Sequence, residues 1–169
     1  MANNYDRPDS DYYPTPQKCI QSLFSVIDFK NLREEGWQFA EPCRGEASAI
    51  YQHFPDGSEY CELEEGKDYF THEWQTKPDI IITNPPFKLA LEFLQKSLQE
   101  ADVCIYLLRL GFLESKKRRE FHKANPPTNL IILSERPSFV AGGTDKTAYA
   151  WYVYDPKQRL GLTQPFYFV

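Results

Sequence analysis

A run of β-branched residues that leads directly into a proline-rich turn is the feature that most constrains the fold of this chain. Residues 79–83 are Asp-Ile-Ile-Ile-Thr, and residues 84–87 are Asn-Pro-Pro-Phe. A continuous apolar run of this kind is typical of a strand that is covered on both faces, as in parallel sheets flanked by helices. Proline has no backbone N–H to pair with a neighbouring strand, so the strand ends at the turn. The run therefore predicts a buried parallel strand with the tetrapeptide at its carboxyl end.

The rest of the chain alternates strands with helices. Strands are predicted over residues 37–40, 58–63, 68–71, 79–83, 103–108, 130–133 and 148–154, and helices over residues 17–28, 46–54, 88–100 and 114–123. This order predicts an α/β three-layer sandwich with a mostly parallel seven-stranded sheet and one antiparallel strand near the C-terminus. Ligands of such sheets bind beyond the carboxyl ends of the strands, where the strand order reverses. The turns after Ala40 and Thr83 are the two candidates for that place.

Length and charge restrict the domain organisation and the partners. The 169 residues fit one domain, with residues 1–12 as an N-terminal arm and no separate target-recognition domain. A net charge of −5 provides no general positive field, so any contact with nucleic acid must come from a local patch. No apolar run approaches the roughly 18 residues that span a membrane, and the N-terminus does not resemble a signal sequence, so we expect a cytoplasmic protein.

The four cysteines are widely spaced and predict neither a zinc site nor a disulfide. Reduced thiols are expected, and no metal is predicted.

The tetrapeptide Asn84-Pro-Pro-Phe87 has the groups that activate an amine on a flat ring. Such an amine is a poor nucleophile because its lone pair is delocalised into the ring. If the side-chain oxygen of Asn84 and the carbonyl of Pro85 accept hydrogen bonds from the amine, they stabilise the positive charge that grows on its nitrogen. The prolines hold these acceptors in place, and Phe87 can stack on the ring. A second copy, Asn125-Pro-Pro-Thr128, precedes a strand and lacks the aromatic residue, so it is predicted to be a connecting loop.

The second turn, Glu41-Pro-Cys-Arg-Gly-Glu-Ala47, is predicted to open the helix at residues 46–54. It lacks the two or three glycines of phosphate-binding turns. Glu62 comes 21 residues after Glu41 at the end of the next predicted strand, where a carboxylate can accept hydrogen bonds from ribose hydroxyls. Asp68 starts the following predicted strand and can accept a hydrogen bond from an adenine amino group. Each acid alone is typical of a surface, but together with the two turns they indicate a nucleoside-containing ligand.

In the order of these motifs the sequence resembles the class I S-adenosylmethionine-dependent methyltransferases. The similarity is to the branch that methylates adenine N6, which includes small phage and prophage DNA adenine methyltransferases. It covers nearly the whole chain and implies a Rossmann-like sandwich with S-adenosylmethionine as cofactor. The segments that resemble family motifs are Tyr12-Tyr-Pro-Thr-Pro16, Glu41-Pro-Cys-Arg-Gly45, Asn84-Pro-Pro-Phe87, Leu107-Leu-Arg-Leu-Gly-Phe-Leu113, Arg136-Pro-Ser-Phe139 and Tyr149-Ala-Trp-Tyr-Val153.

The resemblance implies a role for individual positions. Tyr13 and Thr15 correspond to residues at the methionine end of the cofactor, Glu62 to the ribose acid, and Asp68 with Tyr69 to the adenine contact. The implied cofactor-binding residues are Tyr13, Thr15, Glu41, Pro42, Cys43, Gly45, Glu62, Asp68, Tyr69 and Asn84, and the implied catalytic residues are Asn84, Pro85, Pro86 and Phe87. The cofactor turn departs from the family pattern, because Ala47 replaces a frequent second glycine and Arg44 replaces a small residue.

The densest basic segment, Lys116-Lys-Arg-Arg119, is the predicted contact for the phosphates of a substrate. Such a patch binds without reading sequence and weakens as salt rises. A solvated helix face is an equally good interpretation of the same residues. Arg136 and Phe139 are predicted to line the base pocket, by hydrogen bonding and stacking, with ordinary packing as the alternative. The predicted substrate-binding residues are Phe87, Lys116, Lys117, Arg118, Arg119, Arg136 and Phe139.

These features predict methyl transfer to the exocyclic N6 of adenine, with DNA as the favoured acceptor and a bacterial or phage-infected cell as the setting. The same chemistry on RNA adenine or on protein glutamine remains open. So does a cofactor-binding accessory protein without transfer activity. Because no recognition domain is predicted, we expect little sequence discrimination, or a recognition surface supplied by a homodimer or another partner.

Overall fold

The computed structural model of the protein describes residues 13–139 and 145–169. The predicted N-terminal arm, residues 1–12, lies outside the described residues, as do residues 140–144.

Seven strands form a single sheet in the order β2-β1-β3-β4-β6-β5-β7. Strand β6 runs antiparallel to both of its neighbours, β4 and β5, and all other pairs are parallel. The predicted fold class, a mostly parallel seven-stranded sheet with one antiparallel strand near the C-terminus, is confirmed. The strands are β1 (Phe39–Glu41), β2 (Glu59–Tyr60), β3 (Ile80–Thr83), β4 (Val103–Arg109), β5 (Asn129–Ile132), β6 (Tyr149–Tyr154) and β7 (Phe166–Phe168).

One predicted strand is wrong and one strand was not predicted. Residues 68–71 form a turn, because the side chain of Asp68 accepts a hydrogen bond from the Phe70 N–H and so bonds its own backbone locally. The seventh strand is instead β7, which pairs in parallel with β5 at the edge of the sheet. Its three residues carry too short a pattern for sequence to reveal.

The helices are α1 (Gln17–Phe24), α2 (Phe29–Glu34), α3 (Ala90–Glu100) and α4 (Arg119–Ala124). The helix predicted at residues 17–28 ends four residues early. Asp28 then starts α2, because its side chain accepts a hydrogen bond from the Asn31 N–H and caps the new helix. The helix predicted at residues 114–123 is also shortened at its start, where the Ser115 hydroxyl accepts a hydrogen bond from the Lys117 N–H.

The helix predicted at residues 46–54 is wrong. Backbone φ angles of +69° at Gly45 and +49° at Ser48 take the chain out of the right-handed helical region. What remains of the predicted helix is a single 3₁₀ turn at Tyr51–His53.

The three isoleucines of β3 pack into two cores, one on each face of the sheet. Ile80 and Ile82 join the core that includes α1 and α2, and Ile81 joins the core that includes α3. All three side chains are fully buried. The continuous apolar run therefore reflects a strand covered on both faces, as the sequence predicts. Strand β1 lies between β2 and β3, so the chain reverses its direction of travel across the sheet at the β1–β3 pair.

Candidate functional site

A cleft of about 950 Å³ opens at the carboxyl ends of β1 and β3, where the strand order reverses. Glu41 is the last residue of β1, and Asn84 directly follows β3. Every predicted cofactor-binding residue lines this cleft, as do all four residues of the tetrapeptide. The lining residues include Tyr13, Thr15, Glu41, Pro42, Cys43, Gly45, Glu62, Asp68, Tyr69, Asn84, Pro85, Pro86 and Phe87.

The N-terminal segment fixes the orientation of the Asn84 side chain. Its Nδ2 donates to Oγ1 of Thr15 at 3.1 Å and to the carbonyl of Tyr13 at 3.4 Å. A carbonyl can only accept, so the amide nitrogen must be the atom that faces it. The other amide atom, Oδ1, is buried and has no hydrogen-bond partner within residues 13–139 and 145–169. A buried acceptor that lacks a partner is costly unless a ligand supplies a donor.

Phe87 stands at the centre of an aromatic group beside Asn84. Its ring lies nearly parallel to that of Tyr13, at 24° with centroids 6.3 Å apart, and it contacts Phe139 edge-on at 6.3 Å. Pro86 is the N-cap of the short 3₁₀ turn that begins at Phe87. Through its contact with Phe87, Phe139 lies next to the tetrapeptide, although it does not line the cleft itself.

Glu41 places a second unpartnered acceptor in the cleft. Its side chain is only 2% exposed, and Oε2 has no hydrogen-bond partner in the part of the chain that the structure describes. Burial raises the pKa of this carboxyl well above its usual range, against the lowering effects of the Tyr51 backbone N–H and the charge of Arg44. A cationic ligand group beside Oε2 would restore the stability of the ionised form.

Arg44 and Cys43, which flank this acid in the second turn, are engaged within the protein. The guanidinium of Arg44 forms an ion pair with Glu65 and lies 4.1 Å from the ring centroid of Tyr60. Cys43 Sγ is 3.0 Å from Thr83 Oγ1, and burial raises the pKa of its thiol far above the usual range. The raised pKa keeps the Cys43 thiol neutral at physiological pH.

The acids at the other end of the cleft each use an oxygen to hold a local turn. Oε1 of Glu62 accepts from the Glu64 N–H at 3.2 Å, and Oδ1 of Asp68 accepts from the Phe70 N–H at 2.9 Å. Tyr69 is buried, and its hydroxyl is hydrogen-bonded within the protein to Ser97 and Glu100.

Sequence reasoning missed two apolar residues beside these acids. Leu63 and Phe70 line the cleft and are 69% and 42% exposed. Exposed large apolar side chains at the mouth of a cleft indicate a surface for a flat or apolar group. In the sequence, these two residues could have been identified as candidates because they lie within two residues of Glu62 and Asp68.

The predicted substrate-binding residues outside the tetrapeptide do not line the cleft. Lys116, Lys117, Arg119 and Arg136 are exposed. Arg118 turns inward instead: its guanidinium donates to the carbonyls of Phe112, Gly111 and Glu114 at 2.8–3.2 Å. These bonds hold the turn after β4 together.

Within residues 13–139 and 145–169, no group of three or more His, Cys, Asp or Glu side chains is arranged to hold a metal ion. No helix in the same residues is long and apolar enough to cross a membrane.

Comparison with models of protein families and with curated proteins finds no match to the sequence. Solved structures do match. A protein named as a class I S-adenosylmethionine-dependent methyltransferase, from Listeria monocytogenes, has a TM-score of 0.64 at 8% identity, over 98% of this chain and 67% of that one. A protein named as an RNA methyltransferase from Pyrococcus horikoshii has a TM-score of 0.59 at 17% identity, over 89% of each chain. The fold of this protein is therefore the class I methyltransferase fold.

A protein named as a modification subunit of a type I restriction enzyme, from Vibrio vulnificus, shares the same fold. Its TM-score is 0.53 at 16% identity, and the match covers 88% of this chain but only 45% of the subunit. The chain thus corresponds to less than half of that protein.

Proposed function

We propose that this protein transfers a methyl group from S-adenosylmethionine to the exocyclic N6 amine of adenine in DNA. The observation that carries the proposal is the buried, unpartnered Oδ1 of Asn84, in the turn that contains Pro85 and Phe87. Because Nδ2 is held by Thr15 and Tyr13, the amide can present only an acceptor to a ligand. An acceptor fixed before the reaction begins is what a developing positive charge on an amine nitrogen requires.

We assign a different role to each of three residues of the tetrapeptide. Oδ1 of Asn84 and the Pro85 carbonyl accept hydrogen bonds from the amine, and so favour the form in which its lone pair is free to attack. Phe87 provides a stacking surface for the base, which must leave the helix of a duplex to reach the cleft. The side chains need only orient and polarise the amine, and none of them has to act as a covalent nucleophile. The methylated nitrogen becomes acidic and loses its extra proton to water, so no side chain has to act as a general base.

The lining of the cleft fits S-adenosylmethionine. Oε2 of Glu41 is a buried acceptor without a partner among the described residues, which suits the cationic methionine end of the cofactor. Glu62 and Asp68 stand beside exposed Leu63 and Phe70, which suits a nucleoside with hydroxyl and amino donors and a flat ring. When bound, the cofactor supplies a methyl group activated by a sulfonium.

The names of the structural neighbours support a nucleic-acid acceptor. One is named as an RNA methyltransferase, and one as a modification subunit of a restriction enzyme. We place DNA first because the tetrapeptide and the order of motifs resemble the DNA adenine branch. Lys116, Lys117 and Arg119 are the exposed cations proposed to contact phosphates.

The test combines three acceptor pools with a matched pair of variants. Purified protein is incubated with cofactor labelled in its methyl group and with DNA, RNA or protein, and labelled nucleic acid is digested to nucleosides for mass detection of N6-methyladenine. Asn84→Ala should reduce transfer by about 100- to 1000-fold while the cofactor still binds. Asn125→Ala is the control, because it alters the other Asn-Pro-Pro copy, where Asn125 caps the end of α4.

The pool that becomes labelled identifies the acceptor. N6-methyladenine in DNA that depends on Asn84 supports the proposal, and label in RNA or in protein glutamine replaces DNA as the acceptor. Tight cofactor binding without transfer to any pool would overturn the proposal and leave a cofactor-binding accessory protein. Full activity of Asn84→Ala would overturn the mechanism.

A further inference from the structure

A polar group outside the cleft packs against Phe87. Arg109 is the last residue of β4 and pairs across the strands with Tyr149, the first residue of β6. Its guanidinium carbon lies 4.7 Å from the centroid of the Phe87 ring. Its Nε donates to the Tyr149 hydroxyl at 3.0 Å, and its Nη2 lies 3.5 Å from Oδ2 of Asp145. The Tyr149 hydroxyl in turn donates to the same Asp145 oxygen at 2.7 Å.

Asp145 is ionised at neutral pH. Burial tends to raise its pKa, but the hydrogen bonds from the Tyr149 hydroxyl and the Thr147 N–H, together with the charge of Arg109, hold the pKa below its usual value. The backbone N–H of Asp145 also donates to the carbonyl of Pro137 at 3.0 Å. Asp145 thus ties Arg109 to the segment that carries Phe139.

These contacts restrict the motion of Phe87. A guanidinium plane that is hydrogen-bonded to Tyr149 and paired with Asp145 has few rotamers left, so the ring packed against it is held in one orientation. Phe87 lines the cleft, whereas Arg109 does not. Arg109 therefore contacts the Phe87 ring without itself lining the cleft.

We propose that Arg109, held by Tyr149 and Asp145, is a positioning residue that fixes the plane of Phe87 for the acceptor base. This inference rests on the proposed function, because it assigns Phe87 the role of stacking on that base. Arg109 acts through Phe87 and need not touch the base. A misplaced ring lowers the fraction of bound bases that are aligned with Asn84, so turnover is affected more than cofactor binding.

The chain contains a matched control at the opposite ends of the strands, next to the start of β3 and β4. Arg159 lies 4.2 Å from the ring of Trp37 and pairs with Asp79 and Asp102, which precede β3 and β4. Its side chain is 28% exposed, against 34% for Arg109. Arg159→Ala therefore removes the same kind of arginine, ring and carboxylate arrangement far from the cleft.

The experiment compares Arg109→Ala, Arg109→Lys, Tyr149→Phe and Arg159→Ala. Calorimetry measures cofactor affinity, steady-state assays separate kcat from KM for DNA, and thermal unfolding measures stability. A single-stranded oligonucleotide with 2-aminopurine at one adenine position reports stacking through its fluorescence, without any transfer.

We expect Arg109→Ala to lower kcat by about 10- to 100-fold, the scale of loss that a small misplacement of the reacting groups produces, with cofactor affinity changed less than about twofold. Arg109→Lys keeps the charge but not the planar stack, so it should recover only part of the loss. Tyr149→Phe should give a smaller loss, and Arg159→Ala should lower stability without lowering kcat.

Two results would overturn the inference: kcat of Arg109→Ala no lower than that of Arg159→Ala, or full activity of Arg109→Lys. The fluorescence assay separates this inference from the proposed function. If the wild type transfers no methyl group but Arg109→Ala reduces the quenching of 2-aminopurine, the proposed reaction fails and the positioning role of Arg109 stands. If the wild type neither transfers a methyl group nor changes the fluorescence, both fail.

Discussion

Replacing Thr15 by valine tests whether the N-terminal segment sets the acceptor at Asn84. Thr15 is 8% exposed, and its Oγ1 receives the shorter of the two hydrogen bonds from Asn84 Nδ2, at 3.1 Å. Valine has nearly the same shape but no hydroxyl. In Thr15→Val the amide is left with the Tyr13 carbonyl at 3.4 Å, a long hydrogen bond that holds its orientation weakly.

The expected loss of kcat follows from the free energy of the hydrogen bond between Asn84 and Thr15. A neutral hydrogen bond contributes a net of about 0.5–1.5 kcal/mol, which corresponds to about a 2- to 13-fold decrease in kcat if it stabilises only the productive orientation of Asn84. This is far below the loss expected for Asn84→Ala, in which the acceptor itself is removed. The same energy, lost from the folded state, should lower Tm by about 1–6 °C.

The assay is methyl transfer at saturating cofactor, with Thr15→Ser as the matched variant. Serine keeps the hydroxyl that accepts from Asn84, so Thr15→Ser should retain a kcat close to that of the wild type, even though it loses a buried methyl group. Calorimetry of cofactor binding serves as a control, because Thr15 also lines the cleft.

Two results would refute this reasoning. If Thr15→Val keeps the full kcat, the hydroxyl does not orient Asn84. If Thr15→Ser loses as much activity as Thr15→Val, the methyl group matters instead of the hydrogen bond.

Three further predictions concern Glu41, Arg118 and the exposed lysines of the basic segment. Because the folded-state pKa of Glu41 lies above its unfolded value of about 4.3, its contribution to stability is present below that pH and is lost as pH rises through the raised pKa. As pH rises above about 5, the free energy of unfolding should therefore fall less for Glu41→Gln than for the wild type, as measured by thermal unfolding. Cofactor affinity, measured by calorimetry, should rise with pH in the wild type only, because only Glu41 gains a negative charge. Arg118→Ala should lower the free energy of unfolding by about 2–4 kcal/mol, because three carbonyls lose a charged donor. Lys116→Ala and Lys117→Ala should change stability by less than about 0.5 kcal/mol, and each should reduce the slope of log affinity for DNA against log salt by about one. Unchanged salt slopes would remove these lysines from the DNA contact.

The elements that sequence predicted well are those whose pattern is local and strong. The β-branched run gave β3, and the prolines gave the turn that follows it, because burial on both faces and the missing N–H of proline act on neighbouring residues. The helix that the strand, turn and helix pattern predicts at residues 46–54 is wrong, because Gly45 and Ser48 adopt left-handed backbone angles that this pattern does not specify.

The basic segment shows that sequence does not predict the contacts of individual charged side chains. Lys116, Lys117, Arg118 and Arg119 look alike in sequence, but Arg118 alone folds back to bond three carbonyls of the turn after β4. A charged run does not indicate which of its members is used for folding, since that depends on where unpaired carbonyls lie in space.

The sequence by itself determined β3 and the turns that follow Ala40 and Thr83, and hence which residues lie at the carboxyl ends of β1 and β3. Only the tertiary structure decided how the side chains of those residues are oriented. Asn84 receives its orientation from Thr15 and Tyr13, which lie 69 and 71 residues away, and Phe87 is supported by Arg109 through a pairing of β4 with β6. Such contacts join segments that are distant in the chain, so no local pattern encodes them. They arise because a buried polar group must find its partner wherever the fold places one.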